Sequence, residues 1–161
     1  MEARDFNESL KTLEVIKLPT TSSAIILPDV MVAEIIQPRH SELTSDGPDW
    51  LVGHCRWRGH SIPMICFEAM NQANYVTPSE VLYVAVINSL SKHGYLPYYG
   101  IVLSELPSAS TIERRTVTVH DGRARGRAET LSVLLEGESA GIPNINWIEQ
   151  HLLGYILHYN K

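Results

Sequence analysis

The stretch PDWLVGHCRWRGHSIPMICFE, residues 48–68, contains the clearest pair of strands in the sequence. Its two apolar runs, WLVGHCRW and SIPMICFE, both have strand length and join at Arg58 to His60. Gly59 would allow the tight corner that so short a connection needs. Because proline cannot donate a hydrogen bond to a neighbouring strand, Pro63 predicts that the second strand is a sheet edge or carries a bulge at that point.

Further short strands, separated by turn signals, are predicted on both sides of this pair. Upstream, Leu13–Leu18 and AIILP (24–28) are predicted to form a hairpin around PTTSS. Asp29 could cap a short helical turn before an extended Glu34–Gln37, and RHSELTSDGPDW (39–50) has the composition of a loop. Downstream strands are predicted in YGIVLSEL (99–106), in TVTV (116–119) and, as a hairpin around Glu136–Ser139, in LSVLLEGESAGIPNI (131–145).

The segment TPSEVLYVAVINSL, residues 77–90, gives conflicting local signals. Thr77, Pro78 and Glu80 have the spacing of a helix N-cap, a first-turn proline and a capping-box glutamate. The run VLYVAVI has strand length and is rich in β-branched and aromatic residues. Local patterns therefore leave helix and strand open here.

The end of the chain predicts a helix. Ile148, Leu152 and Ile156 are spaced by four, with Leu153 and Leu157 beside them, and Asn144 or Asn146 could cap the first turn. Many short strands, frequent turns and one terminal helix favour a mostly-β barrel or sandwich.

Composition limits the function classes. The 161 residues are 44% hydrophobic and 19% charged, with a net charge of −5 and no basic stripe, so no nucleic-acid binding is expected. No apolar run reaches the length of a membrane span and the polar start does not resemble a signal peptide, which predicts a cytoplasmic protein without direct membrane insertion. Residues 1–11 are expected to be a loosely held leader, and Cys55 and Cys66 to be reduced thiols.

A metal- or thiol-dependent small enzyme is one alternative. It would use His54, Cys55, His60 and Cys66, which lie close together in the sequence. Their spacing does not fit paired zinc ligands, and neighbouring residues of a strand, such as His54 and Cys55, point to opposite faces. No nucleophile elbow, phosphate-binding glycine loop or paired carboxylates occur, so neither catalysis nor a cofactor is expected.

Glu34 and Arg58 each place a charge inside an apolar run. Both side chains could simply point to solvent from the outer faces of their strands. Alternatively, the two could meet and hold one strand end against the corner after another, in which case Arg58 could bind Glu34 and a backbone carbonyl together.

From Ala24 to about Ile145 the order of segments resembles the CheW-like family. The resemblance is carried by AIILPDVMVAEII (24–36) and by PDWLVGHCRWRGHSIPMICF (48–67), where Gly53, Arg58, Gly59, Ile62 and Pro63 match the family motif. It implies two SH3-like five-stranded β-barrels with a C-terminal helix, in a single domain spanning residues 12–161. It also implies that VLYVAVI is a strand.

The resemblance further implies a non-catalytic adaptor that couples a chemoreceptor to a CheA-type histidine kinase. Glu34 and Arg58 match a glutamate and an arginine near the groove between the barrels, where a receptor's helical tip docks. Val32 and Ile36 have the same strand parity as Glu34 and are expected on the groove floor, with Gly59 at its corner. The kinase's regulatory domain is the expected second partner.

Three family aspartates are replaced by Cys66, Ser104 and Asn144, which predicts a divergent member of the kind found as a second adaptor in pilus-linked chemosensory clusters. An SH3-like module that binds proline-rich peptides is the remaining alternative. It would need an exposed aromatic groove, and GYLPYYG (94–100) is the one dense aromatic cluster in the sequence.

Overall fold

The computed structural model describes residues 12–39, 41–44, 46–91, 93–113 and 116–159; the predicted leader, residues 1–11, lies outside them. These residues form two mixed sheets, two helices and one 3-10 turn. The strands are β1 Thr12–Pro19, β2 Ala24–Pro28, β3 Val32–Ile36, β4 Ser41–Leu43, β5 Leu51–Trp57, β6 His60–Ile65, β7 Tyr83–Asn88, β8 Tyr98–Leu103, β9 Ser108–Glu113, β10 Val117–Val119, β11 Glu129–Leu135 and β12 Glu138–Pro143. The helices are α1 Phe67–Asn71 and α2 Ile145–Tyr159, and the 3-10 turn is Asp29–Met31.

The first sheet has the order β10-β11-β12-β2-β1-β9 and is antiparallel except between β12 and β2. A small buried cluster lies on its inner face: Val15, Ile26, Val133, Leu135 and Ala140. Ile112 of the edge strand β9 and Val117 of the opposite edge strand β10 both pack against that cluster. The sheet must therefore curl until its two edges approach each other.

The second sheet has the order β3-β7-β8-β6-β5-β4 and is antiparallel except between β6 and β8. The strands β3 and β5 are four places apart, which would separate them by about 19 Å in a flat sheet. Yet the indole Nε1 of Trp57 on β5 donates a hydrogen bond of 2.7 Å to Oε2 of Glu34 on β3. The second sheet is therefore rolled into a nearly closed barrel, and this contact lies at its seam.

A third cluster joins the two sheets. Leu18 and Ile25 from the first sheet and Ile87 and Ile101 from the second belong to it, and so does Ile148 of α2. The barrels thus lie side by side with the terminal helix packed on their shared core.

Buried Glu68 ties α1 to the turn between β1 and β2. Its side chain accepts hydrogen bonds from Thr20 Oγ1, from the backbone N–H of Ser22 at 2.9 Å and from Ser23 Oγ at 3.3 Å. Burial raises the pKa of Glu68, but hydrogen bonds from the 20–22 turn outweigh it and leave the pKa below its ordinary value.

Two further buried glutamates hold other loops. Glu149 of α2 accepts hydrogen bonds of 2.8 Å from the backbone N–H groups of Leu90 and Ser91, in the loop between β7 and β8. Glu129 pairs with Arg123 at 3.0 Å and accepts a second bond of 3.0 Å from Asn71 at the end of α1.

Most predicted elements are confirmed, including the mostly-β class, the β1–β2 hairpin and the terminal helix. The Oδ1 of Asn144 accepts a bond of 3.1 Å from the backbone N–H of Trp147, so this asparagine is the cap. The ambiguous 77–90 segment contains the strand β7, as the family resemblance implied. Pro63 lies where β6 has a neighbour on one side, because the ladder with β8 begins only at Met64.

Several predictions were wrong in detail. Each sheet has six strands and not five, because β4 forms within the predicted loop 39–50 and β9 within the polar Ser108–Glu113. The second run of the central pair was expected to stay extended to Glu68, but the strand ends at Ile65 and α1 begins at Phe67. Asp29 lies inside its 3-10 turn, which has no side-chain cap.

Candidate functional site

The corner between β5 and β6 is a two-residue turn. Arg58 has φ +46° and Gly59 has φ +81°, so both residues are in the left-handed region that such tight hairpins require. The predicted role of Gly59 is therefore confirmed. In Arg58, which is not a glycine, this conformation costs about 1 kcal/mol of backbone strain, and the contacts of its side chain help to offset that cost.

The side chain of Arg58 lies between the carboxylate of Glu34 and the ring of Trp57. Its Nη2 is 3.3 Å from Glu34 Oε2, and its Cζ is 4.9 Å from the centroid of the Trp57 ring. Trp57 itself is buried and donates its indole N–H to the same carboxylate oxygen. We call Glu34, Trp57 and Arg58 the seam cluster, because it joins β3 to the corner after β5.

The sequence left the meeting of Glu34 and Arg58 open, and the structure brings them together. The contact with Trp57 was not predicted: its indole N–H donates to Glu34. From the sequence, Arg58 was instead expected to bind a backbone carbonyl in addition to Glu34. Trp57 was expected to be a core anchor alone. Its ring does pack in the core of the second barrel, and its nitrogen also reaches the seam.

The seam cluster retains unused hydrogen-bonding capacity. The side chains of Arg58 and Glu34 are 70% and 42% exposed. Glu34 accepts both of its bonds at Oε2, and no residue that the structure describes donates to Oε1. An exposed ion pair contributes only about 0–1 kcal/mol, so the pair orients these groups more than it stabilises the barrel.

A bulge in β3 breaks the strand parity from which the groove floor was predicted. Val32 pairs with Ile87 but Glu34 pairs with Val86, so the register shifts between them and their parity is lost. Val32 packs against the cluster between the barrels, whereas Ile36 packs against the interior of the second barrel. Shared parity with Glu34 therefore does not place Val32 and Ile36 on one floor.

An aromatic shelf borders the seam cluster. The ring of Tyr98 makes an edge contact with Trp57 at 4.9 Å between centroids, and His60 makes another with Tyr98 at 5.1 Å. Arg56 is exposed near the end of β5, two residues before Arg58 in the corner. The sequence showed that Tyr98 belongs to the aromatic GYLPYYG segment. It could not show that Tyr98 contacts Trp57 and His60, because these contacts depend on the pairing of β6 with β8.

The candidate ligands His54, Cys55, His60 and Cys66 do not come together as a metal centre. Within the described ranges, no three histidine, cysteine or acidic side chains are grouped to hold an ion. Both cysteines are free and buried. Burial raises the pKa of Cys55 to about 11 and also raises the pKa of Cys66, so neither thiol is an activated nucleophile at neutral pH.

Known proteins resemble the chain in sequence and in fold. The sequence model described as the CheW-like domain matches residues 15–148. The scaffolding protein TtCheW from Thermoanaerobacter tengcongensis superposes with a TM-score of 0.63 at 12% identity, over 82% of this chain and 88% of that one. No curated protein sequence matches the chain. In the described part of the chain, no helix is both long and apolar enough to span a membrane.

The family match covers 134 of 161 residues (15–148), including both barrels and the start of α2. With a fold shared with a CheW scaffold and the motif residues Arg58 and Gly59 at a preformed corner, the chain belongs to the CheW-like domain family.

Proposed function

We propose that the protein is a non-catalytic chemosensory adaptor that couples a methyl-accepting chemoreceptor to a CheA-type histidine kinase. The observation that carries this proposal is the seam cluster. There, exposed Arg58 is held at a strained corner by Glu34 and Trp57, and its remaining N–H donors are free to bind a partner. Because the chain shares its fold with a scaffolding protein, such a group is suited to docking and not to chemistry.

The receptor's helical tip is the partner proposed for this surface. Glu34 lies on β3, the edge strand whose Val32 packs into the core between the barrels, so the seam cluster borders the junction of the two. A helix lying there could present a carboxylate or a carbonyl to the free donors of Arg58 and an N–H to Glu34 Oε1. Val32, Ile36 and Gly59 are the further contacts that we propose for this interface.

The kinase's regulatory domain is the proposed second partner, bound at a separate surface of the same domain, residues 12–161. The adaptor would act in the cytoplasm and without a cofactor, and the pilus-linked subtype remains our hypothesis. The thiol-enzyme alternative is disfavoured by the raised pKa values of Cys55 and Cys66. The peptide-module alternative is disfavoured because the tyrosines of GYLPYYG do not line one exposed groove. Tyr99 is buried, Tyr98 packs against Trp57 and His60, and Tyr95 is exposed beside His93.

Simultaneous binding of both partners is the test of this function. The wild-type protein is titrated by calorimetry with the regulatory domain of a CheA-type kinase from the same organism, and the saturated complex is then titrated with a peptide of the receptor's helical tip. We expect micromolar binding in both steps. A protein that binds one partner only, or that releases the first when the second is added, would contradict the adaptor.

A further inference from the structure

A row of aromatic side chains runs along α2 and continues into the loop before β5. Trp147, His151, Tyr155 and Tyr159 recur at every fourth residue, so they lie along one side of the helix. Ring centroids are 3.8 Å apart for Trp147 and His151 and 4.6 Å apart for Tyr155 and Tyr159, and Trp50 meets Tyr155 edge-on at 6.1 Å. We call these five residues the aromatic row.

The packing of the helix uses only part of this row. Trp147 and Trp50 lie against the core between the barrels. Tyr159 is 61% exposed at the end of the helix. Large aromatic side chains that remain outside a core are characteristic of contact surfaces.

Two acidic residues lie beside the row. Asp46 and Asp49 are exposed in the loop that leads to Trp50, and a Cβ on Gly47 in that loop would come within 3.5 Å of the Tyr155 ring. Burial, followed by the charges of Tyr159 and Asp46, raises the pKa of Tyr155, which agrees with the approach of this loop to the Tyr155 ring.

Both carboxylates are available to a partner. Neither the Asp46 nor the Asp49 side chain forms a hydrogen bond or ion pair with any residue in the described ranges. Arg127 lines the same surface depression as Asp49 and Trp50, but it forms no ion pair there with a described residue. The surface thus combines aromatic faces with two carboxylates that pair with no described residue, and exposed Arg127 lies at one end of it.

We propose that the aromatic row, with Asp46 and Asp49, is a docking surface for an arginine-bearing segment of a partner protein. A guanidinium group stacks flat on aromatic rings and pairs with carboxylates at the same time, which a purely apolar or an acidic segment cannot do. The net charge of −5 adds a favourable long-range attraction for such a segment.

This surface is distinct from the seam cluster. Trp50 immediately precedes β5 and Arg58 immediately follows it, and the strand from Leu51 to Trp57 is about 20 Å long. A segment bound at the row would leave the seam cluster accessible, so this proposal does not depend on the adaptor function.

Binding of a fluorescein-labelled hexa-arginine peptide to the full-length protein, followed by anisotropy, tests the proposal. Since exposed cation–π contacts are weak, we expect Tyr159→Ala and Asp46→Asn each to reduce affinity about threefold to fivefold. Tyr159→Phe retains a ring and should bind like wild type. Glu105→Gln is the matched control, because it removes one exposed charge in the segment after β8. Hexa-lysine should bind more weakly than hexa-arginine.

Amide and indole NMR spectra locate the bound peptide. The expected shifts are at the Trp50 indole N–H and at the backbone of residues 155–159. Unchanged affinity in Tyr159→Ala would overturn the proposal. So would an equal loss in Glu105→Gln and Asp46→Asn, because the peptide would then sense net charge only, and so would equal binding of hexa-lysine.

Discussion

This protein has buried glutamates that hold loops in place and one exposed glutamate at the seam cluster. The comparison distinguishes side chains that stabilise the fold from a side chain available for docking. Glu68 and Glu149 are 3% and 4% exposed and have hydrogen bonds to loop donors. The Glu34 side chain is 42% exposed, shares one oxygen between Trp57 and Arg58, and leaves the other without a described donor. A buried carboxylate must be satisfied within the fold, whereas an exposed and oriented one can exchange water for a partner.

The comparison predicts a large loss of stability at Glu149. Glu149→Ala leaves the backbone N–H groups of Leu90 and Ser91 without their acceptor, so we expect a loss of about 2–3 kcal/mol in the free energy of unfolding. Urea denaturation followed by circular dichroism measures it. A change as small as that of Glu34→Ala would break the distinction between the two kinds of glutamate.

At Glu68 the comparison predicts a dependence on pH. The folded-state pKa of Glu68 is below its ordinary value, so the ionised form stabilises the fold above that ordinary value, about pH 4.3, and the contribution is lost as the pH falls through the lower folded pKa. The stability difference between wild type and Glu68→Gln should therefore shrink from pH 6 towards pH 3. A difference that is independent of pH would show that the carboxylate acts through its shape alone.

An intermediate effect is expected at Trp57. Trp57→Phe keeps an aromatic ring in the second barrel but removes the indole donor to Glu34, so we expect a loss of about 1 kcal/mol in the free energy of unfolding. If the indole bond closes the barrel, Glu34→Ala and Trp57→Phe should be non-additive in a double-mutant cycle. Strict additivity would mean that the two residues act independently.

Glu34→Ala should have the smallest effect on the free energy of unfolding but a clear effect on the reactivity of the Cys55 thiol. Cys55 lies inside the second barrel with Trp57, and its pKa of about 11 leaves about a hundredfold less thiolate at pH 8 than an ordinary thiol has. Modification by a disulfide reagent should be slow in wild type and faster in Glu34→Ala, which loosens the seam. Fast modification of the folded wild type would mean that the barrel is open to solvent there.

The central strand pair, the β1–β2 hairpin and α2 could be predicted from the sequence because their signals are local. Gly59 at a corner and Asn144 at a helix start act within a few residues of themselves. The strands β4 and β9 were missed because they are short or polar, and pairing with β5 and β1 determines their structure. Their neighbours in space are remote in the sequence.

The seam cluster was predictable only in part. Charges at Glu34 and Arg58 inside apolar runs indicated an unusual place, and the structure brings them together. The bulge in β3 depends on the register of β7, and the Trp57 contact depends on a sheet that rolls up over four strands. Neither feature leaves a local pattern, which is why strand parity alone did not predict the positions of Val32 and Ile36.

Calorimetric titration of the receptor's helical tip into Arg58→Ala, beside wild type and Arg56→Ala, tests the central claim most directly. Arg56 is exposed near the end of β5, two residues before Arg58, and carries the same charge, but it is not part of the seam cluster. We expect Arg58→Ala to change the free energy of unfolding by less than about 1 kcal/mol and to weaken tip binding at least tenfold, with Arg56→Ala close to wild type. Equal affinity of Arg58→Ala and wild type, with both folded, would contradict the claim that the seam cluster is a docking site.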